Sequence, residues 1–241
     1  MDQDAPPPLI SSLPDADCIG PPLAADWQPP PGDLAWQKRA AERSALLLRK
    51  SIKAVASRVA PEGGLKRHCI DLLHDFTGDM MGIFITAASL NAFTLTPATI
   101  ELAVDAVLKG ELARLAKSEG AQAVAKWTAS FAAPQYSARG VLGWSKRAGL
   151  IFSIDLVQST MRATHVRLNH CAPIFLAAVL ELLLTKTLRL AGLQRAARIS
   201  KHPALPPTPI SVRDIFQALL ADEELRHLLL PLPLPTKGEE E

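Results

Sequence analysis

The chain has 241 residues, 48% of them hydrophobic, and a formal net charge of +2, enough apolar material for one large domain or two small ones. No uncharged apolar run reaches the length of about 18 residues that a membrane-spanning helix needs, and the first residues lack the basic-then-apolar order of a secretion signal. Three scattered cysteines are too few for a disulfide framework, so a reducing compartment is expected, with Cys69 and Cys171 as buried thiols.

Residues 1–36 carry Asp2, Asp4, Asp15, Asp17, Asp26 and Asp33 and no lysine or arginine. A segment this acidic and proline-rich cannot bury enough apolar surface to order itself, so a disordered tail is expected. Ser44 then offers a cap for a first helix, on which Leu46, Leu47, Ile52, Val55 and Val59 form a broad apolar face. Pro61 and the Gly63-Gly64 pair stop it. A long helix follows over residues 65–90, with Leu72, Leu73, Phe76, Met80, Ile83 and Ala87 near one stripe. At 1.5 Å per residue it spans roughly 39 Å, so its stripe needs a partner helix rather than a fold-back. Thr96-Pro97 supplies an N-cap and a proline at the first helical position of a helix carrying Ile100, Val104 and Leu108. Gly110 breaks that helix, and another runs to about Ser130.

Residues 132–144, with Pro134, Gly140 and Gly143, read as a linker. A short helix is predicted over 150–161. Pro173 opens a long helix reaching about Ile199, and Thr208-Pro209 repeats the cap-and-proline device before Ile215 and Leu219. Residues 231–241 form a second acidic, proline-rich tail. Strand patterns are nearly absent, so the class is all-α. The two tails hold the negative charge and leave about +10 on the body, a balance that suits a polyanionic partner.

Catalytic chemistry is not legible. His68, His74, His165, His170, His202 and His227 lack paired zinc-ligand spacing, and there is no phosphate-binding glycine loop or nucleophile elbow. The expectation is a protein that is not an enzyme, with no cofactor, no metal and no small-molecule substrate.

Two groups of motifs carry a family resemblance. Gly110-Glu111-Leu112-Ala113-Arg114, Ser118-Glu119-Gly120-Ala121 and Ala123-Val124-Ala125-Lys126-Trp127-Thr128 resemble the last helix of histone 2B. Arg147-Ala148-Gly149-Leu150-Ile151-Phe152, Ala172-Pro173-Ile174-Phe175-Leu176-Ala177-Ala178-Val179-Leu180-Glu181, Leu190-Ala191-Gly192 and Asp222-Glu223-Glu224-Leu225 resemble histone 2A, in the right order. The resemblance covers roughly residues 44–230. Together the halves resemble a histone doublet of the kind found in marseillevirus-type giant viruses.

That resemblance implies two tandem histone folds, each of short, long and short helices, paired as an intramolecular heterodimer. The implied division is tail 1–36, histone 2B-like fold 37–131, linker 132–144, histone 2A-like fold 145–230 and tail 231–241. It further implies DNA contacts at Arg147, Arg162 and Arg167, at Thr94, Thr96 and Thr208 of the loops, and at Lys38, Arg39 and Arg43 of a basic segment ahead of the first helix. Glu111, Glu119, Glu181, Asp222, Glu223 and Glu224 match an acidic docking patch. The implied partners are double-stranded DNA, a histone 3/histone 4-type unit and histone chaperones, in chromatin, or in a virion or host nucleus.

The departures from the family pattern matter as much. Ser153-Ile154-Asp155-Leu156 replaces a Pro-x-Gly-Arg, Pro209 stands where the loop arginine belongs, and Asn91-Ala92, followed by Phe93, replaces a Lys-Arg. Lys186 and Arg189 fall where two patch carboxylates are expected, and the extension that follows this fold in histone 2A has no counterpart after Leu230. A looser grip on DNA, a weaker acidic patch and a weaker hold on the histone 3/histone 4 unit are therefore expected. The alternative function is a histone-fold scaffold for protein assembly, with DNA contact secondary.

Overall fold

The computed structural model describes residues 34–61, 64–132, 143–163, 167–201 and 208–229. Residues 1–33, the second tail and most of the predicted linker lie outside them, while residues 34–36, assigned to the first tail from sequence, are helical.

The first helix, α1 (Leu34–Val59), begins ten residues before the predicted cap at Ser44. Alanine, leucine, lysine and arginine fill its first turns and no glycine or proline interrupts it, so propensity carries the helix straight through Ser44. Lys38, Arg39 and Arg43 are therefore helical residues, not part of a segment preceding the helix. Gly64, just before the next helix, takes a positive φ of 62°, which suits glycine.

The long α2 (Arg67–Asn91) follows, then a two-residue strand β1 (Thr94–Leu95) and α3 (Pro97–Val107). Thr96 caps α3 as predicted, and Thr99 completes a reciprocal capping box. Gly110 opens α4 (Gly110–Ala132). After the linker come a single turn, α5 (Trp144–Arg147), and α6 (Ile154–Ala163). The predicted start of α6 at residue 150 is corrected. Gly149 takes a φ of +73°, Leu150 N–H bonds back to Ser145 at 2.8 Å, and Ser153 accepts from Leu156 N–H at 3.3 Å. The left-handed residue ends the α5 turn and delays the next helix to Ile154.

Strand β2 (Arg167–Leu168) leads into α7 (Ala172–Lys201), followed by α8 (Val212–Ala221), α9 (Glu223–Arg226) and a 3-10 turn at His227–Leu229. Thr208-Pro209 does not cap α8. A parallel bridge between Leu65 and Ile210 holds the chain extended through Ile210, so the cap falls to Ser211, in a box with Asp214.

At thirty residues, α7 is about 45 Å long and forms the axis of the core. It packs against α1, α2, α3, α4, α6 and α8, and every residue from Cys171 to Leu180 is buried. The stripe on α2 is wider than predicted, because Met81, Phe84, Ile85 and Ala88 are buried beside Leu73, Phe76 and Met80. Gly120 of α4 rests on the Phe175 ring so closely that a Cβ there would lie 2.6 Å from it. Trp127 of α4 meets Trp144 of α5 with ring centroids 5.8 Å apart. One core thus spans both halves of the chain.

Cys69 is a free buried thiol. Cys171 is equally buried.

Candidate nucleic-acid interface

Two loop pairs, each joining one half of the chain to the other, organise the predicted contact residues. In the first, β1 and β2 run parallel with Thr94 opposite Arg167 and Leu95 opposite Leu168. Asn169 N–H donates to the Leu95 carbonyl at 2.8 Å, and the Asn169 side chain accepts from Cys171 N–H at the start of α7. Thr94, Thr96 and Arg167 are brought together here, with Arg167 exposed. Arg162 is exposed in the last turn of α6, just ahead of β2. The hydroxyl of Thr96 is occupied, accepting from Thr99 N–H at 3.2 Å.

The second pair joins the turn before α2 to the turn before α8. Ile210 N–H donates to the Gly64 carbonyl at 3.2 Å, and the Cys69 S–H donates to the Ile210 carbonyl at 3.2 Å. Burial pushes that thiol up to about 11, so it stays protonated. Lys66, His68, Arg198, Ser211, Val212 and Arg213 line an open cleft of about 390 Å³ beside this bridge. Thr208 is present, but its hydroxyl accepts from Arg198 Nη1 at 3.2 Å and its carbonyl from Arg195. Arg198 in turn forks onto Asp214 at 2.9 and 3.1 Å. Burial alone would push the Asp214 carboxyl up. The Arg198 and Ser211 hydrogen bonds outweigh it and hold the carboxyl below its usual range. Lys66, Arg67 and Arg213 are exposed at this end and were not singled out from sequence. Their signal was their position beside Leu65 and Ile210, a pairing of residues 145 apart that local pattern does not reveal.

The other predicted contacts lie apart from both loop pairs. Lys38 and Arg43 are exposed along α1, and Arg147 is half-buried in α5. Asp155, exposed in the first turn of α6, puts a carboxylate at a helix N-terminus that a phosphate would otherwise favour. Ser153 N–H at that turn donates to Ser51 of α1 at 3.2 Å.

The six acidic-patch residues are only partly gathered, and four of them are engaged. Asp222 and Glu224 close on Lys186 at 3.0 and 2.8 Å. Glu224 also accepts from Leu112 N–H at 3.0 Å, tying α9 to the start of α4. Glu181 turns inward and accepts from the N–H groups of Ile151 and Phe152 at 2.8 and 2.9 Å. Glu111 pairs with Arg114 on its own helix. Glu119 and Glu223 are exposed.

Of the histidines, His74 bonds Asp75 at 3.0 Å and His170 packs edge-on to Trp144. Among the described residues, no group of three or more His, Cys, Asp or Glu converges as a metal site would require.

No protein-family model matches the chain. Over 104 residues, 42% of its length, it is 35% identical to a probable histone 2A of Oryza sativa, in both subspecies indica and japonica, and covers 72% of that protein. The chain belongs to the histone 2A family. It is also 38% identical over 96 residues to a macro-type histone 2A of Capsaspora owczarzaki. That match takes in 39% of this histone but only 24% of the relative, so this chain spans about a quarter of that protein's length. The all-α architecture around a long central helix is the one family membership implies, and less than half of the chain carries the detectable similarity.

Proposed function

We propose that this histone is a DNA-packaging doublet. In this reading residues 37–131 form a histone 2B-like fold and residues 145–230 a histone 2A-like fold, joined by the linker 132–144 and paired within one chain. The observation that supports it most is the reciprocal loop pairing. The loop after the long helix of the first half meets the loop before the long helix of the second, Thr94 against Arg167. The opposite combination, Leu65 against Ile210, occurs at the other end. Two loop pairs beside a packed pair of long helices present basic side chains and helix N-termini at separated points, an arrangement suited to sequence-independent wrapping of DNA. The linker raises the effective concentration of one half for the other.

The partners in this reading are double-stranded DNA, a histone 3/histone 4-type unit and histone chaperones. The protein acts in chromatin and, as the doublet of a giant virus, in the virion or host nucleus. DNA contact falls to Arg147, Arg162, Arg167, Lys38, Arg39 and Arg43, to Thr94 and the α3 N-terminus capped by Thr96, and at the second loop pair to Lys66, Arg67 and Arg213, with Thr208 holding the loop in shape.

The alternative, a protein-assembly scaffold, draws on the absent loop arginines and on the internal pairing of Lys186. A salt series of binding to random-sequence duplex DNA separates the two. The packaging reading expects affinity that falls steeply with salt, though less steeply than for histone pairs retaining every loop arginine. Binding too weak to detect at low salt contradicts it.

A further inference from the structure

Phe93 stands at the edge of the first loop pair and is 96% exposed, and Leu90 at the end of α2 is 82% exposed. A scattered surface leucine needs no explanation. A fully exposed phenylalanine held in a fixed loop does, because its ring is placed in water by a rigid neighbourhood. The next residue, Thr94, is locked in the parallel ladder opposite Arg167. Leu95 is fully buried, its carbonyl accepts from Asn169, and Thr96 is fixed by its capping box. The backbone that carries the ring has little freedom to withdraw it.

The two loops that pair beside this ring carry Arg167 and no carboxylate. Neither residues 80–100 nor residues 156–180 contain an aspartate or glutamate, and the second stretch contributes Arg162 and Arg167. Both arginines are exposed. An apolar side chain beside a loop pair that carries an exposed arginine and no carboxylate is complementary to a polyanion with an apolar interior. A protein groove would be expected to meet it with a neutral or acidic rim.

We infer that Phe93 is an apolar wedge that enters the minor groove of double-stranded DNA beside Arg167 and partly unstacks one base step. This rests on the DNA-packaging reading and specifies how one of its contact points works. Residues 91 and 92 supply no cation to fill the groove, so the ring takes the position. Inserted apolar side chains exchange base stacking for a kink that lets more DNA follow the protein surface. Pyrimidine–purine steps deform most readily, so the wedge settles on them without reading base edges.

The test uses the full chain and a random-sequence duplex of about 30 base pairs, a length over which a bend is measurable. 2-Aminopurine is placed at TA steps and a dye pair at the ends. The intact protein raises 2-aminopurine fluorescence and brings the ends together. Phe93→Ala binds about tenfold more weakly, loses both signals and keeps its salt slope, since no phosphate contact is removed. Phe93→Arg recovers affinity at low salt and steepens the slope by about one, without unstacking. Arg167→Ala lowers the slope by about one and retains unstacking in the bound state.

Binding by the intact protein without a fluorescence rise, or a Phe93→Ala variant equal to it in affinity and bending, overturns the wedge and leaves the DNA reading standing. A Phe93→Ala variant that unstacks DNA normally but no longer captures a histone 3/histone 4 unit assigns the ring to a protein partner and also overturns it. An intact chain that does not bind the duplex at low salt overturns the DNA reading and the wedge together.

Discussion

The Lys186 ammonium lies 2.8 Å from Glu224 and 3.0 Å from Asp222, so a cation from α7 neutralises two carboxylates of the predicted acidic patch from within. Burial lowers the Lys186 pKa, but the hydrogen bonds to Glu224 and Asp222 prevail and hold it above its ordinary value. An arginine arriving from a partner would have to displace this ammonium to reach the same oxygens. Lys186→Ala is expected to bind an arginine-anchored peptide about tenfold more tightly than the intact protein. It should also lose about 1–2 kcal/mol of stability, a value reduced because all three side chains keep some solvent contact. Peptide titration checks the first and urea unfolding the second. Equal peptide affinity in the two proteins means the patch is not masked by Lys186.

Asp214 presents a different balance, with a side chain only 1% exposed and Arg198 forked across it. Asp214→Asn keeps the shape and removes the charge, leaving Arg198 without its counterion, and is expected to cost about 2–4 kcal/mol at neutral pH. The pH dependence follows from a carboxyl held below its ordinary value of 3.8. Its contribution is fully present above that value and is lost as pH falls through the lowered folded-state pKa. Urea midpoints of the two proteins should therefore differ at pH 7 and converge in strong acid. A gap that stays constant down to the lowest accessible pH contradicts this account.

Gly120 leaves no room for a side chain, because an added Cβ would lie 2.6 Å from the buried Phe175 ring. Gly120→Ala removes a flexible residue from the interior of α4, which alone would raise stability by about 1 kcal/mol. The clash is expected to reverse the sign, giving a net loss of about 1–3 kcal/mol. A thermal melt above that of the intact protein would mean α4 and α7 are less tightly apposed than the structure indicates.

Much of this architecture is readable locally. Thr96-Pro97 specified the start of α3, because capping and proline geometry involve only neighbouring residues. The same device misled at Thr208-Pro209, where pairing with Leu65 keeps the chain extended for two further residues and moves the cap to Ser211. Ser44 failed for the opposite reason: a good capping residue does not start a helix when helix formers precede it without a break. The motifs located Arg167 and Thr94 separately, and only the tertiary pairing sets them side by side. Lys66, Arg67 and Arg213 escaped notice because the bridge beside them joins the two halves of the chain. Glu181 matched a surface patch in sequence, yet its carboxylate serves two backbone donors between α5 and α6.

The two loop pairs predict different outcomes for similar truncations. Arg167 is exposed, so Arg167→Ala should weaken DNA binding and reduce its salt slope by about one, with the fold unchanged. The Thr208 hydroxyl is committed to Arg198, so Thr208→Ala should lower stability by about 1 kcal/mol and leave the salt slope as it was. Paired melting curves and salt titrations distinguish them. A loss of DNA affinity on Thr208→Ala that is the same at every salt concentration would place that hydroxyl on a phosphate.

The most direct test of the packaging account is nuclease digestion of DNA reconstituted with this chain and a histone 3/histone 4 unit across a salt series. The account predicts a discrete protected fragment of roughly 120 to 150 base pairs, near the length a histone octamer wraps, lost at lower salt than for histone pairs retaining every loop arginine. A smear at every salt concentration, with the chain absent from the DNA-bound fraction, would contradict it and leave the fold as a scaffold for protein assembly.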